Sequence, residues 1–419
     1  MKPVDATPED ARLGARGRRA VHWLIGLHGV TSFCYGMALP YTSIFLSGRS
    51  GVGTTGVAVY FAASGAANLV VAVLLALGWV RPPRVALGLT GNALSAAGFL
   101  LLPAVGSLPA AAMAGGAVGA GQGCFLAAII PIVSSMTRAS DTRGVFALRY
   151  QVLNATFALG ALAAGVLTGV LSDDVIPVLF VVNALGYIPI AGALLLTRRA
   201  SEAGRVSRAA ESAADGGLMR FAMLLRATLA VVVFELVAGL FAFSQLESTV
   251  PLVAYRLMDT GLGWIPAIVA VSVTVVVIAQ RAMTKALEPR SPLFGLRVAV
   301  VLWVVGYLLV GASAFMAPPF GVTGLLVYAA LFGLGECAYS CSFYPWMIST
   351  VPDSELTRVT ALTNGMMGIG VLGGPAIGVV LATSGSAAFV WLALAALCSS
   401  TLLTTVMWRT RRVRRVAAV

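Results

Sequence analysis

The sequence predicts an all-α integral membrane protein, with twelve transmembrane helices in two six-helix, pseudo-symmetric halves. Three observations predict it: the scarcity of charge, the number and length of the apolar runs, and a repeat that relates the two halves of the chain. Of 419 residues, 59% are hydrophobic and 11% are charged, and the mean hydropathy is +0.92. A soluble domain carries about 25% charged residues. Most of this chain therefore belongs in lipid.

Runs of about 20 apolar residues cross a bilayer as helices. Such runs occupy 21–46, 54–79, 84–104, 108–137, 145–171, 176–197, 221–256, 263–283, 296–316, 322–349, 359–383 and 386–408. The seventh is long enough to be kinked or extended. In lipid only helices and closed barrels satisfy every backbone group, and the alternating pattern of barrel strands is absent. A cleavable leader is not expected, because the first twenty residues are polar and basic and the first apolar run is too long for one.

All Lys and Arg except Arg49 and Arg256 fall at the N-terminus, at the even-numbered connections and helix ends, or at the C-terminus. Basic residues concentrate on the cytoplasmic side of membrane proteins. The reading is a multi-pass protein of the cell (inner or plasma) membrane with both termini cytoplasmic. The net charge of +12 thus reports topology and not nucleic-acid binding. The tail "RTRRVRRVAAV" serves as an anchor aided by anionic lipid. The organisation that follows is a cytoplasmic segment 1–20, a six-helix half 21–197, a cytoplasmic linker 198–218, a second half 219–408 and a basic tail 409–419.

The repeat supports this division. "GAGQGCFLAAIIP" (119–131) lines up with "GLGECAYSCSFYP" (333–345), "NATFALG" (154–160) with "NGMMGIG" (364–370), and Pro40 with Pro251. The three matches fall at nearly one offset, on spans 1/7, 4/10 and 5/11. Internal repeats of this kind place a substrate site near the bilayer midplane. Because one chain contains both copies, a working monomer is expected.

Twelve spans in two halves, a central loop and cytoplasmic termini resemble the major facilitator superfamily over essentially the whole chain. "GAGQG" (119–123) resembles the fourth-span motif of its proton-coupled exporters, with Gly119 where those carry an arginine. "GALAAGVLTG" (160–169) is similar to the glycine-rich motif of span 5, and the Gly-Pro pair of that motif occurs in span 11, in "GVLGGPAIG" (370–378). The loop after span 2, "GWVRPPR" (78–84), keeps Arg81 and Arg84 of the family's signature without its aspartate. The resemblance implies a secondary transporter of the drug or antibiotic efflux type, an antiporter that exchanges protons for a small molecule.

Glu336 is the leading candidate for the proton-coupling residue. It lies near the middle of span 10, where a charge costs roughly 2.5–3.5 kcal/mol on insertion scales. Helical spacing puts Glu336, Tyr339, Phe343 and Met347 on one face. The repeat maps the first three onto Gln122, Phe125 and Ile129. Gln122, Phe125, Tyr339 and Phe343 are therefore expected to line a shared cavity. The alternative for Glu336 is a neutral packing role, hydrogen-bonded to a neighbouring helix. Glu247 and Glu235, both in span 7, are the other coupling candidates. At about 100° per residue they point about 120° apart. Gln245 is a possible companion of Glu247.

Span 1 contributes His28 and Tyr35, seven residues apart on one face. A histidine titrates near neutrality and can relay protons, or it can be a satisfied packing residue. Arg149, just inside span 5, either snorkels to the surface or meets an anion, and Asn154 lies one to two turns further on. The two histidines of the chain exclude a multi-histidine metal site. No phosphate-cradling loop is present, so direct ATP use and other cofactors are not expected. No catalytic constellation points to an enzyme. The leading function is proton-driven export of a small hydrophobic or cationic molecule. Import or facilitated transport of a sugar, organic acid or other metabolite is the alternative, and a non-transporting receptor comes third.

Overall fold

A computed structural model describes residues 8–48, 52–138, 140–171, 175–206, 217–247, 249–259, 264–315 and 318–416. Among them the backbone is almost entirely helical. Helix α1 (Pro8–Gly48) carries the first apolar run. The next five are carried by α2 (Gly53–Leu77), α3 (Arg84–Leu101), α4 (Leu108–Ser135), α5 (Thr142–Leu171), and α6 (Ile176–Leu185) continued by α7 (Tyr187–Val206). The seventh is interrupted: α8 (Gly217–Ala238), a π-helical turn over Gly239–Phe243, α9 (Ser244–Glu247) and α10 (Thr249–Arg256). Then follow α11 (Trp264–Leu287), α12 (Pro292–Ser313), α13 (Pro318–Ser340) with α14 (Phe343–Thr350), α15 (Leu356–Ser384) and α16 (Ala387–Val416).

Ten helices among the described residues are long and apolar enough to cross a membrane, and Ala387–Leu403 is a shorter apolar helix. With α1 they make the twelve helices that hydropathy predicts. Large apolar side chains such as Leu196, Leu162 and Ile278 are exposed on the protein surface, as a chain solvated by hydrocarbon requires and a soluble one avoids.

The chain forms two compact units, Met1–Asp215 with Pro352–Ala361, and Gly216–Val351 with Leu362–Val419. In the first, α4 packs along α2 and α3, while α1 packs along α5, α6 and α7. In the second, α13 packs along α11 and α12, and α16 along α12 and α8. Both units use glycine to bring backbones together. A Cβ at Gly119 of α4 would lie 1.9 Å from the Ser64 carbonyl oxygen of α2, and one at Gly333 of α13 would lie 2.6 Å from that of Ser272 in α11. Small residues at such crossings let membrane helices meet by direct van der Waals contact. This also explains the missing arginine of the exporter-like motif, because position 119 faces a neighbouring backbone with no room for a side chain.

The stretch Pro352–Ala361 folds with the first unit around the "GWVRPPR" loop. Gly78 ends α2 at a positive φ of 72°, a conformation that favours glycine. The Arg84 guanidinium donates to the Asp353 carbonyl at 2.6 Å and pairs with its carboxylate at 3.2 Å, and its Nε donates to Thr357. Arg358 donates to the Ala76 carbonyl at 2.9 Å and pairs with Glu355 at 2.9 Å. The aspartate absent from the loop is thus replaced by a carboxylate from "PDSELTR" (352–358).

Candidate functional site

Each unit gathers part of the polar set that the sequence singles out. In the second unit the cluster is built on α13. Glu235 of α8 is 2% exposed, and the Tyr339 hydroxyl lies 2.8 Å from each of its carboxylate oxygens. These are the hydrogen bonds of the Glu235 side chain among the described residues. A phenol has one proton, so it serves one oxygen at a time.

Aromatic rings wall this pair. Tyr339 stacks on Phe343 (5.2 Å, 16°) and meets the edge of Phe243 (5.0 Å). Phe234 stacks on Phe343 at 6.0 Å, and Trp346 stands edge-on to Phe234 at 6.0 Å. The expected face of Tyr339 and Phe343 is therefore real, although α13 ends at Ser340 and a turn precedes Phe343. Glu336, one turn before Tyr339, looks elsewhere. It is half-buried, and its Oε2 accepts a hydrogen bond from Ser272 of α11 at 3.2 Å. The two carboxylates thus have separate partners on separate helices.

Gln245 is fully buried beyond the π-helical turn. Its amide nitrogen donates to the carbonyls of Leu240 (2.6 Å) and Gly374 (3.0 Å), and its oxygen accepts from the Thr249 hydroxyl. It ties the interrupted helix to α15. π-turns inside α-helices occur often at functional sites. The side chain of Glu247, the third coupling candidate, lies outside the described residues.

In the first unit the set assembles between α1, α4 and α5. The Gln122 amide donates to the Tyr35 hydroxyl at 2.9 Å. His28 is buried and stands edge-on to Phe125, with ring centroids 5.0 Å apart. Its Nδ1 is buried with no hydrogen-bond partner among the described residues. Arg149 of α5 is 7% exposed and within electrostatic range of that ring. Asn154 donates to the Tyr150 carbonyl of its own helix at 2.9 Å. Helix α1 is held to α5 by the Ser32 hydroxyl on the Leu153 carbonyl (2.9 Å), and Gly29 lies against Val152 and Thr156.

Sequence reasoning missed several members of these clusters. Phe234 and Phe243 are apolar residues among many in the seventh span, and their type gives no signal of its own. Ser272 is one of two hydroxyl residues in "AVSVTVVV" (270–277), and a hydroxyl in an otherwise apolar membrane helix is a usable cue for a buried partner.

No protein-family model and no curated protein matches this sequence. Its fold matches solved transporters. A bacterial homologue of the iron transporter ferroportin, in an outward-facing state, superposes with a TM-score of 0.73 at 12% identity over 93% of this chain and 99% of that one. The major facilitator superfamily transporter FucP, in the outward conformation, gives 0.67 at 14% over 93% and 97%. The human organic anion transporter MFSD10 (TETRAN) gives 0.65 at 15% over 93% and 99%. The chain is a multi-pass helical membrane protein. Its fold is that of the major facilitator transporters.

Proposed function

We propose that this chain is a secondary active transporter that moves a small, largely apolar molecule by alternating access, coupled to protons. The observation that carries the reading is the pair of carboxylates around α13, inside membrane-spanning helices and without a metal-ligating cluster among the described residues. Intramembrane ionisable side chains mark substrate or proton pathways. Glu336 is the coupling group, because it is half-buried and can exchange a proton without disassembly of its surroundings. Glu235 is sealed by Tyr339 and the aromatic wall, and it sets the position of that wall. Export of a drug-like molecule across the cell membrane is the direction we favour, from the exporter-like motifs on α4 and α5. Both termini and the 198–218 linker are placed in the cytoplasm by the basic residues, and external labelling of a single cysteine in the linker would overturn that topology.

The test uses purified protein in proteoliposomes and a panel of labelled small molecules, with the proton gradient imposed and then collapsed. Glu336→Gln keeps the shape and hydrogen bonds of the side chain but cannot change charge. It should fold and insert at wild-type levels while gradient-driven accumulation falls to background. Wild-type accumulation by that variant, with loss in Glu235→Gln, would move the coupling role to Glu235. A second reading, uptake of an organic acid, is favoured by the buried arginine of the first unit and by likeness to an organic anion transporter.

A further inference from the structure

We propose that the first unit holds a binding site for the anionic group of a small organic molecule, formed by Arg149 of α5 and His28 of α1. The inference rests on the transporter reading and gives it a substrate class.

Two independent observations converge on this place. The first is the His28 imidazole. It is 9% exposed, and its Nδ1 has no hydrogen-bond partner among the described residues. A polar atom left unsatisfied inside a packed core is destabilising, so it is retained more readily where a ligand completes it. The second is the sign of the local field. The six apolar runs of this half contain no Asp and no Glu. The formal charge that Arg149 brings into them, at 7% exposure, is therefore positive. A guanidinium matches the planar, two-oxygen geometry of a carboxylate and binds it through paired N–H donors.

The surroundings fit the remainder of such a molecule. Phe125 presents its ring at 5.0 Å from His28, and the Gln122–Tyr35 pair lies further along the same two helices. Residue spacing keeps the elements in register. Gly29 of α1 abuts Val152 and Thr156 of α5, and Ser32 bonds to the Leu153 carbonyl. His28 therefore sits level with the turn of α5 that begins at Arg149. An amphiphilic acid would place its charge on Arg149 and His28 and its apolar body against Phe125. Export of a cation, one half of the leading expectation from sequence, does not account for a buried arginine here.

The experiment is equilibrium binding of three isosteric probes, 2-naphthoate, 2-naphthamide and 2-naphthylmethylammonium, to the full chain in phosphatidylcholine nanodiscs with no gradient. 2-Naphthoate should bind about tenfold or more tightly than the amide, as charge-assisted hydrogen bonds predict, and the ammonium weakest. Arg149→Gln should erase the preference for the acid, Arg149→Lys should keep part of it, and His28→Phe should weaken naphthoate alone. Equal binding of acid and amide, preference for the ammonium, or absence of acid-dependent binding in the wild-type protein overturns the proposal even if the variants fail to fold. Naphthoate binding should be unchanged when phosphatidylglycerol is mixed into the nanodiscs. Its loss there would assign the site to a lipid headgroup and overturn a soluble ligand. Because no gradient is used, failure here leaves the transport assay, and the transporter reading, standing.

Discussion

In the second unit, Glu235 is 2% exposed and both of its oxygens lie 2.8 Å from one tyrosine hydroxyl. In the first, His28 is 9% exposed and its Nδ1 has no hydrogen-bond partner among the described residues. Both residues sit on the opening helix of their half, and both face the fourth helix, at Tyr339 and Phe125. The repeat places Tyr339 and Phe125 at equivalent positions. The backbones have stayed alike, down to a glycine set against a serine carbonyl in each unit. The side chains have diverged in sign and in completeness: acid and phenol close on each other in one unit, while in the other a buried ring nitrogen of His28 is left unsatisfied among the described residues. Duplication supplies a scaffold twice, and chemistry is then written on each copy separately.

The glycine contacts give the largest expected effect on stability. A methyl group at Gly119 meets a carbonyl at 1.9 Å, and one at Gly333 meets its counterpart at 2.6 Å. Gly119→Ala should therefore destabilise toward the upper end of the roughly 1–3 kcal/mol typical of overpacking, and Gly333→Ala by less. Thermal unfolding in detergent reads the difference. An equal response from both would show that the two units are not packed as described.

The two tyrosines sharpen the contrast. Tyr339→Phe leaves an enclosed carboxylate without its donor and should lower stability by about 1–3 kcal/mol. Tyr35→Phe removes one hydrogen bond from the half-buried Gln122, and should lower it by no more than about 1 kcal/mol. Pairing Tyr339→Phe with Glu235→Gln should recover part of the loss, because a neutral amide supplies its own donors. Smallest is Arg84→Ala. Its ion pair with Asp353 is partly open to solvent, at 10% and 20% side-chain exposure, and such pairs contribute up to about 1 kcal/mol. High salt should shrink the fall in melting temperature without abolishing it, because the hydrogen bonds of Arg84 to the Asp353 carbonyl and Thr357 are lost as well.

The helices were legible because hydropathy is a local property, and each run states its own solvent. The pairings were not, since they join residues far apart in the chain. Glu235 and Tyr339 are brought together by how α8 and α13 pack, which no spacing within either helix encodes. The same holds for His28 with Phe125 and for Arg84 with Asp353. Helical periodicity did group Tyr339 with Phe343, and the repeat did single out Gln122 and Glu336. It could not say that Glu336 would find Ser272 while its neighbour Tyr339 found Glu235. The break in the seventh span was half-visible, as excess length. Nothing in "GLFAF" (239–243) marks a π-turn, because the residues are ordinary helix formers for lipid and the register change is absorbed by Gln245 and Gly374 contacts downstream.

That turn has a mechanical consequence. A π-turn accommodates one residue more than an α-helical turn, so everything after Phe243 is rotated by about 100° relative to an unbroken helix. Angular separations counted from sequence, such as the 120° between positions 235 and 247, do not carry across it. If the five residues rewound as regular α-helix, the outer portion of the seventh span would swivel about its axis by the same angle and lengthen by roughly 1.5 Å, while Glu235 and Phe234, which precede the turn, stayed in place. Gln245, bonded to Leu240 behind it and Gly374 beside it, is the pawl that holds this one-residue step.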